Sequence, residues 1–223
     1  MIDSNFKTAI DILNKNKIPY WVCHGSLLGL IRDGNLIKWD HDIDIAVMKS
    51  QVSKEYLKDL FAQAGFIDRK GNFENTIHFR KNGGKFLDIN FYHKLFDKPE
   101  NNEYGVFYKI SKKFLIFRII NKACDNHEYE GKYYFFVKIL RIFRPIFLLM
   151  KTMIDAIYPT YVNVGYSIPF DLIQDFKYIY IHGLKIRIPK KSIETCELIY
   201  GKNWKKPLKE YNWITDSQTT KKI

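Results

Sequence analysis

The sequence predicts an α+β fold in which helices flank a mixed β-sheet, with a helical, basic insertion and a C-terminal hairpin and helix. Three observations predict this class. Residues 20–48 follow the order apolar strand, glycine turn, short helix and acidic strand. Residues 66–92 contain three strand-like runs, with the Asn-Gly-Gly of residues 82–84 as a hairpin signal. Residues 177–189 alternate around a His-Gly pair and predict a second hairpin.

Helices are predicted where apolar side chains recur at helical spacing. The first covers residues 5–17, and the second begins at Ser50 or Ser53 and runs to Ala64. The remaining predicted elements are a strand at 103–115, a loop at 165–175, and a helix at 192–200 that is capped by Ser192.

The acidic strand carries the chemical signal. In a strand, residues two apart point to the same face, so Asp42 and Asp44 share a face, and Asp40 joins them if the strand extends that far. Adjacent carboxylates repel one another in a half-buried site, and a divalent cation relieves that repulsion. Oxygen ligands suit Mg²⁺ or Mn²⁺, so the triplet predicts a metal site. The alternative interpretation is a solvated polar edge.

The glycine turn precedes this strand. Gly25 allows a ligand to approach the backbone closely, and Ser26 is predicted to cap the following helix. A helix N-terminus favours phosphate, and Arg32 offers a bidentate phosphate contact. His24, beside Gly25, is a further candidate for this site.

Asp88 is a lone carboxylate inside the apolar run 86–92. Burying it without a partner would be costly. Spacing alone leaves two partners open: a lysine or backbone donor, or the same metal centre as the acidic triplet.

These motifs together resemble the signature of the LicD/fukutin family. The matching residues are G-S-L-L-G at 25–29, then Arg32 and W-D-H-D-I-D at 39–44, and L-D-I at 87–89. The sequence departs from the family pattern at Lys38, where proline is usual, and at His41. The C-terminal part is similar to the family as well, whereas residues 101–161 are not recognisable.

The resemblance implies a phosphotransferase on a nucleotidyltransferase fold of the polymerase-beta-like type. One domain over 1–223 is expected, with a catalytic core at 1–100, a variable insertion at 101–161 and a C-terminal hairpin and helix at 162–223. The implied catalytic residues are Asp40, Asp42, Asp44 and Asp88, and the implied metal ligands are Asp42, Asp44 and Asp88. The implied substrate-binding residues are His24, Gly25, Ser26, Arg32 and Trp39, with Trp39 as the candidate for an aromatic contact to a choline group.

The expected reaction transfers a phospho-alcohol from a CDP-activated donor to a sugar hydroxyl. The family's donors include CDP-choline and CDP-ribitol, and phosphoglycerol and phosphoethanolamine are similar groups. The expected acceptor is a glycan or lipid-linked glycan of the lipopolysaccharide, capsule or teichoic-acid type, and the expected cofactor is Mg²⁺ or Mn²⁺.

Composition limits the other classes. The 223 residues are 46% hydrophobic and 27% charged, which is typical of a globular protein. Three cysteines without CxxC spacing fit a reducing cytoplasm. The net charge of +12 favours anionic partners, but no RNA-binding signature is present, so no nucleic acid is expected.

Residues 133–158 form a second unusual stretch. Their pattern fits either a core helix or a basic amphipathic helix on an anionic membrane surface, and Pro145 is expected to split it. In the second case the cytoplasmic protein would lie on the inner face of the plasma membrane.

Two rival functions stay open at this point. A nucleotidyltransferase that moves NMP to an acceptor uses the same motif. A non-catalytic module that binds RNA or a membrane is supported by the positive charge alone.

Overall fold

The structure is a computed structural model that describes residues 2–69, 74–95, 102–112, 114–125 and 134–222. The chain divides into two compact units. The first unit comprises Met1–Arg69, Asn75–Val106 and Gly165–Lys221, and the second comprises Lys70–Glu74, Phe107–Val164 and Lys222–Ile223. The predicted division into a core at 1–100, an insertion at 101–161 and a C-terminal part at 162–223 stays a prediction.

The secondary structure follows the predicted order through the acidic strand and the meander. The elements are α1 Ser4–Lys15, β1 Trp21–Val22, α2 His24–Arg32, β2 Asp42–Met48, α3 Lys54–Gln63, β3 Ile67–Asp68, β4 Thr76–Arg80 and β5 Phe86–Lys94. The chain continues with β6 Glu103–Ser111, α4 Leu115–Cys124, α5 Tyr134–Leu140, a 3-10 turn at Arg141–Phe143, α6 Arg144–Ile157 and β7 Tyr161–Pro169. It ends with α7 Phe170–Ile173, β8 Phe176–Ile181, β9 Leu184–Pro189, α8 Ser192–Tyr200, α9 Trp213–Asp216 and β10 Thr220–Lys222.

The described strands form a mixed sheet and a separate hairpin, which confirms the predicted α+β class. The sheet runs in the order β1-β2-β5-β6-β7-β10, with β4 beside β5 and β3 beside β4. β3, β4 and β5 are successive antiparallel strands, as the meander prediction requires. β2 and β5 are parallel neighbours, and their register sets Asp44 directly opposite Asp88. β8 and β9 form the predicted second hairpin.

Helices α1 and α3 of the first unit begin and pack as their sequences predict. The Asp3 side chain caps α1 by accepting hydrogen bonds from the backbone N–H groups of Asn5 and Phe6. Phe6, Ile10 and Leu13 are fully buried on one side of α1. Ser53 caps α3 in the same way, which decides between the two predicted starts.

Three sequence-based expectations were wrong. Residues 165–175 are not a loop, because β7 and α7 occupy most of them. Strand β6 ends at Ser111, and Leu115 begins helix α4 instead. Ser192 does not cap α8: Lys191 is the N-cap residue, and the Ser192 hydroxyl is buried without a hydrogen-bond partner. Each of these predictions used a short stretch of sequence, whereas the structure there depends on the neighbouring backbone.

The second unit contains helices α4, α5 and α6. Pro145 lies in the first turn of α6, just after the 3-10 turn, so it separates α5 from α6 as expected. Within the described ranges, none of the helices has the length and apolar character that crossing a bilayer requires.

Gly29 is the position in α2 where a side chain would do most damage. A Cβ built there would lie 2.6 Å from the carbonyl oxygen of Asn35 and 2.8 Å from the backbone nitrogen of Ile37. Gly29→Ala is therefore expected to destabilise the protein by about 1–3 kcal/mol. Thermal unfolding measures this as a fall of about 2–4 °C in Tm per kcal/mol. Gln63→Ala, at an exposed position of α3, is the control, and an unchanged Tm for Gly29→Ala would contradict the close contact.

Candidate active site

Strands β2 and β5 bring three aspartates together. Asp42 and Asp44 lie on one side of β2, and the parallel register sets Asp88 beside Asp44. Burial raises the pKa of Asp44 well above its usual range, and the charges of Asp42, Asp88 and Asp40 raise it further. The cluster predicted from the alternating sequence is therefore present as one electrostatic unit.

Asp40 joins this cluster from the loop before β2, not from the strand, which begins at Asp42. The backbone N–H of His41 donates to Asp40 Oδ1 at 3.0 Å, and the Lys85 ammonium donates to the Asp40 carbonyl oxygen. Burial, then a hydrogen bond with Asp42 and that residue's charge, raises the pKa of Asp40 to about 7. Asp40 therefore keeps its proton up to about neutral pH.

Gly25 lies against these carboxylates. A Cβ at Gly25 would stand 2.5 Å from Asp40 Oδ2 and 3.8 Å from Asp44 Oδ2. Glycine at this position leaves that space to the Asp40 carboxylate, which a Cβ would displace. The first turn of α2 and the acidic cluster are consequently adjacent.

Ser26 does not cap α2, contrary to the sequence-based expectation. The helix begins at His24 with Cys23 as its N-cap, because Gly25 continues the helix instead of interrupting it. The Ser26 hydroxyl accepts a hydrogen bond from the backbone N–H of Asp44 at 2.8 Å, and the Cys23 N–H donates to the Asp44 carbonyl at 3.2 Å. These two bonds fix the start of α2 to the middle of the acidic strand.

Asp88 has a specific partner on the neighbouring strand. His78 Nδ1 lies 2.7 Å from Asp88 Oδ1, and its Nε2 lies 3.1 Å from the Thr76 hydroxyl. This network is satisfied when Nδ1 carries the proton and donates to Asp88, while Thr76 donates to Nε2. The partner is a histidine, which neither of the two sequence-based interpretations of Asp88 named.

His24 is buried beneath the glycine turn. Its side chain is 5% exposed, its backbone has φ of 46°, and its Nε2 lies 3.1 Å from the Tyr92 hydroxyl. The ring lies 4.0 Å from the ring of Tyr166, and burial lowers the pKa of His24 to about 3. The imidazole is therefore neutral and supports the start of α2. Contact between His24 and a substrate stays a prediction.

Arg32 is the last residue of α2, and Trp39 lies in the loop that follows this helix. Arg32 makes two hydrogen bonds to Asp33, at 2.8 and 2.7 Å, and its guanidinium is 5.9 Å from the centre of the Trp39 ring. The Trp39 side chain is 37% exposed. Since Asp33 already uses two Arg32 donors, the predicted phosphate contact needs the remaining donors or an exchange of partner.

Sequence reasoning missed several members of the site. Asn90 donates to Asp44 Oδ1 at 3.5 Å, and its position two residues after Asp88 on the same strand face was the available signal. Lys85, which holds the loop of Asp40, and Tyr166, whose pKa is raised by burial and by Asp44, gave no local signal. Both reach the site only through the tertiary fold.

The cluster fits a divalent cation by its chemistry. Neighbouring aspartates raise the pKa of Asp40 and of Asp44, and oxygen ligands are those that Mg²⁺ prefers. Across the described ranges, no group of three or more His, Cys, Asp or Glu side chains is arranged to hold a metal ion. The fit therefore rests on the donor set and on its mutual repulsion.

A mixed β-sheet that carries two aspartates on one strand and a third on its parallel neighbour, next to the first turn of a helix, defines a nucleotidyltransferase-type domain. Residues 17–115 match the family model described as LicD/FKTN/FKRP, nucleotidyltransferase domain. The match covers residues 17–115, and it confirms the resemblance that the motifs of the sequence indicate.

Relatives with the same domain are larger proteins. The chain is 25% identical over 212 residues to human ribitol-5-phosphate transferase FKTN, which covers 92% of this chain and 33% of that protein. It is 36% identical over 65 residues to human ribitol 5-phosphate transferase FKRP, covering 28% of this chain and 13% of that protein. An uncharacterised protein of Rickettsia typhi is 33% identical over 93 residues, and the match covers 41% of this chain and 28% of that protein. The chain thus spans a third or less of the length of these relatives.

Among solved structures, the lincomycin-bound lincosamide antibiotic adenylyltransferase LnuA is similar at 12% identity and a TM-score of 0.44. The match covers 86% of this chain and 84% of that protein.

Proposed function

We propose that the chain transfers a phospho-alcohol from a CDP-activated donor to a sugar hydroxyl of a cell-surface glycan, with Mg²⁺ or Mn²⁺ as cofactor. The observation that carries this proposal is the cluster of Asp40, Asp42, Asp44 and Asp88 at the first turn of α2. The relatives named ribitol-5-phosphate transferases support a transferred group of the phospho-alcohol class.

The reaction needs positioning and charge neutralisation more than covalent catalysis. The acceptor hydroxyl oxygen forms a bond to the phosphorus that bears the alcohol. The bond between that phosphorus and the bridging oxygen breaks, and CMP departs with its electron pair. The hydroxyl proton passes to a carboxylate, and a phosphodiester joins the alcohol to the sugar.

Asp42 and Asp44 are the proposed ligands of the cation, with Asp40 at their side. A bound divalent cation would neutralise charge on the donor phosphates and stabilise the leaving oxygen. We assign the proton of the acceptor hydroxyl to Asp88 Oδ2, because His78 holds Oδ1 and so orients the carboxylate. In the alternative assignment, Asp88 completes the ligand set.

The first turn of α2 is the proposed site for the donor's pyrophosphate. Its N–H groups lack helical partners, and the helix dipole favours an anion there. Gly25 sets the backbone of this turn against the Asp40 carboxylate, Ser26 fixes the turn to β2, and Arg32 and Trp39 flank the same helix. His24 supports this turn from below.

The first test is nucleotide release from a panel of CDP-choline, CDP-ribitol, CDP-glycerol and CDP-ethanolamine, with Mg²⁺ or with EDTA. Metal-dependent release of CMP from one donor is expected, together with metal-dependent donor binding in calorimetry. Asp59→Asn, an exposed aspartate on α3, serves as a charge-matched control that should keep full activity.

Two other outcomes would replace the proposal. Release of pyrophosphate from a nucleoside triphosphate, with a nucleotidylated acceptor, would indicate a nucleotidyltransferase. Neither release nor binding of any donor, with salt-sensitive RNA binding that is independent of Mg²⁺, would indicate a non-catalytic module.

A further inference from the structure

Helix α6 has its polar side turned into the second unit. Arg144, Lys151 and Asp155 fall within about 40° of one another around the helix axis. Lys151 pairs with Asp155, and Asp155 accepts hydrogen bonds from the backbone N–H and the hydroxyl of Thr160, both at 2.7 Å. Arg144 Nε donates to the carbonyl of Cys124 at 3.2 Å. The charged residues of α6 therefore make internal contacts.

The opposite side of α6 is apolar and exposed. Ile146, Leu149, Met153 and Ile157 follow at spacings of three and four residues, so they form one stripe along the helix. Their side chains are 58%, 65%, 64% and 89% exposed. None of the 14 residues of α6 is buried. This is the reverse of a core helix, which would bury its apolar stripe.

The other helices of the second unit, α4 and α5, also carry exposed apolar side chains. We call these residues together the apolar face: Leu115, Ile116, Phe135, Phe136, Ile139, Ile142, Phe143, Ile146, Leu149, Met153 and Ile157, all exposed. Exposed apolar surface on this scale is typical of a site that binds another apolar surface. The interpretation of residues 133–158 as a buried core helix does not fit this exposure.

The charge near the apolar face indicates which kind of partner this face binds. Across 114–125 and 134–158 there are six lysines and arginines and two aspartates. Of these cations, Arg118 and Lys138 are exposed beside apolar-face residues on α4 and α5. A second copy of the chain would bring the same positive excess against itself. An anionic lipid surface offers both apolar depth and opposite charge.

We propose that the apolar face of α4, α5 and α6 binds the surface of an anionic lipid bilayer. A 14-residue helix such as α6 is about 21 Å long, short of the ~30 Å hydrocarbon core. The helix therefore lies along the surface with its apolar stripe among the acyl chains. Exposed Arg118 and Lys138 contact the headgroups.

Vesicle flotation of the full chain tests this proposal without any substrate. Vesicles of phosphatidylcholine alone are compared with vesicles that also contain phosphatidylglycerol, at low and high salt. We expect binding to the anionic vesicles that weakens with salt. Leu149→Gln with Met153→Gln should weaken it by at least about tenfold, since each change removes apolar burial without altering charge.

The matched control is Ile193→Gln with Leu208→Gln, two exposed apolar residues of the first unit. It should bind vesicles as the wild type does. Ile157→Gln is a second variant of the apolar face, and the Tm of each variant reports that it folds. Absence of vesicle binding, or equal binding by the Leu149/Met153 variant, would overturn the proposal. So would sedimentation showing a dimer that this variant dissociates.

Discussion

Asp42→Asn is expected to lower the rate of CMP release by at least about 100-fold while leaving the fold intact. Replacing a residue that only supports a metal ligand already costs about 10- to 100-fold. Removing a ligand itself should cost at least as much. Asp42 is partly exposed at the start of β2, and asparagine keeps its shape, so no structural collapse is expected.

The measurement is single-turnover CMP release at saturating Mg²⁺, with Tm as the report on folding. Asp59→Asn should retain the wild-type rate and shows that the loss is not caused by net charge. Partial recovery of Asp42→Asn at high Mn²⁺ would locate the loss in cation binding. A rate within a few fold of wild type, at any metal concentration, would contradict the assignment of Asp42 as a ligand of the cation.

The acidic strand shows what a sequence pattern can fix. Because side chains alternate in a strand, the placement of Asp42 and Asp44 on one face follows from the sequence alone. That Asp88 lies beside Asp44 required the pairing of β2 with β5, which the family resemblance implied and the register confirms. The sequence also predicted both hairpins, because their turns are local.

The parts that sequence reasoning missed depend on contacts between distant residues. The pairing of His78 with Asp88 depends on β4 lying beside β5, and Tyr166 contacts His24 although the two are far apart in the sequence. The cap of α2 was misplaced because Gly25 can either end or continue a helix. Tertiary packing decides such cases.

For residues 133–158 as well, the sequence alone left two structures open. Apolar and charged residues at helical spacing fit a buried helix and a surface helix equally well. Only the direction in which the helix faces separates the two. In the structure, Lys151 and Asp155 are turned towards Thr160, and the apolar stripe is left exposed.

Asp44→Asn is expected to have opposite effects on activity and on stability. It should remove CMP release as Asp42→Asn does, because it also loses a ligand. In metal-free buffer at about pH 8, it should raise the stability by about 1–3 kcal/mol, or about 2–4 °C of Tm per kcal/mol. The reason is that burial and the charges of the neighbouring carboxylates disfavour the ionised form of Asp44 in the folded protein.

The pH dependence gives the sign of this effect. The folded protein raises the pKa of Asp44, so the unfolded chain loses that proton first as the pH rises above about 4. Wild-type stability therefore falls as the pH rises through the folded pKa, whereas the asparagine variant lacks this loss. The gain should shrink towards about pH 4. Neutral His24 is present in both proteins, so its opposite pH dependence cancels in the comparison.

Adding Mg²⁺ should reverse the order of the two proteins. A cation held by the proposed ligands should bind the folded wild type and stabilise it by mass action, but should bind Asp44→Asn only weakly. Thermal unfolding compares the two proteins under four conditions, with EDTA or with Mg²⁺ at about pH 4 and at about pH 8. If Asp44→Asn were the less stable protein in EDTA at the higher pH, the repulsion in the cluster would already be compensated by the chain itself. The proposed role as cation ligands requires these carboxylates to lie close together, and they repel one another when no cation is bound. Asp44 should therefore support activity and at the same time lower the stability of the metal-free protein.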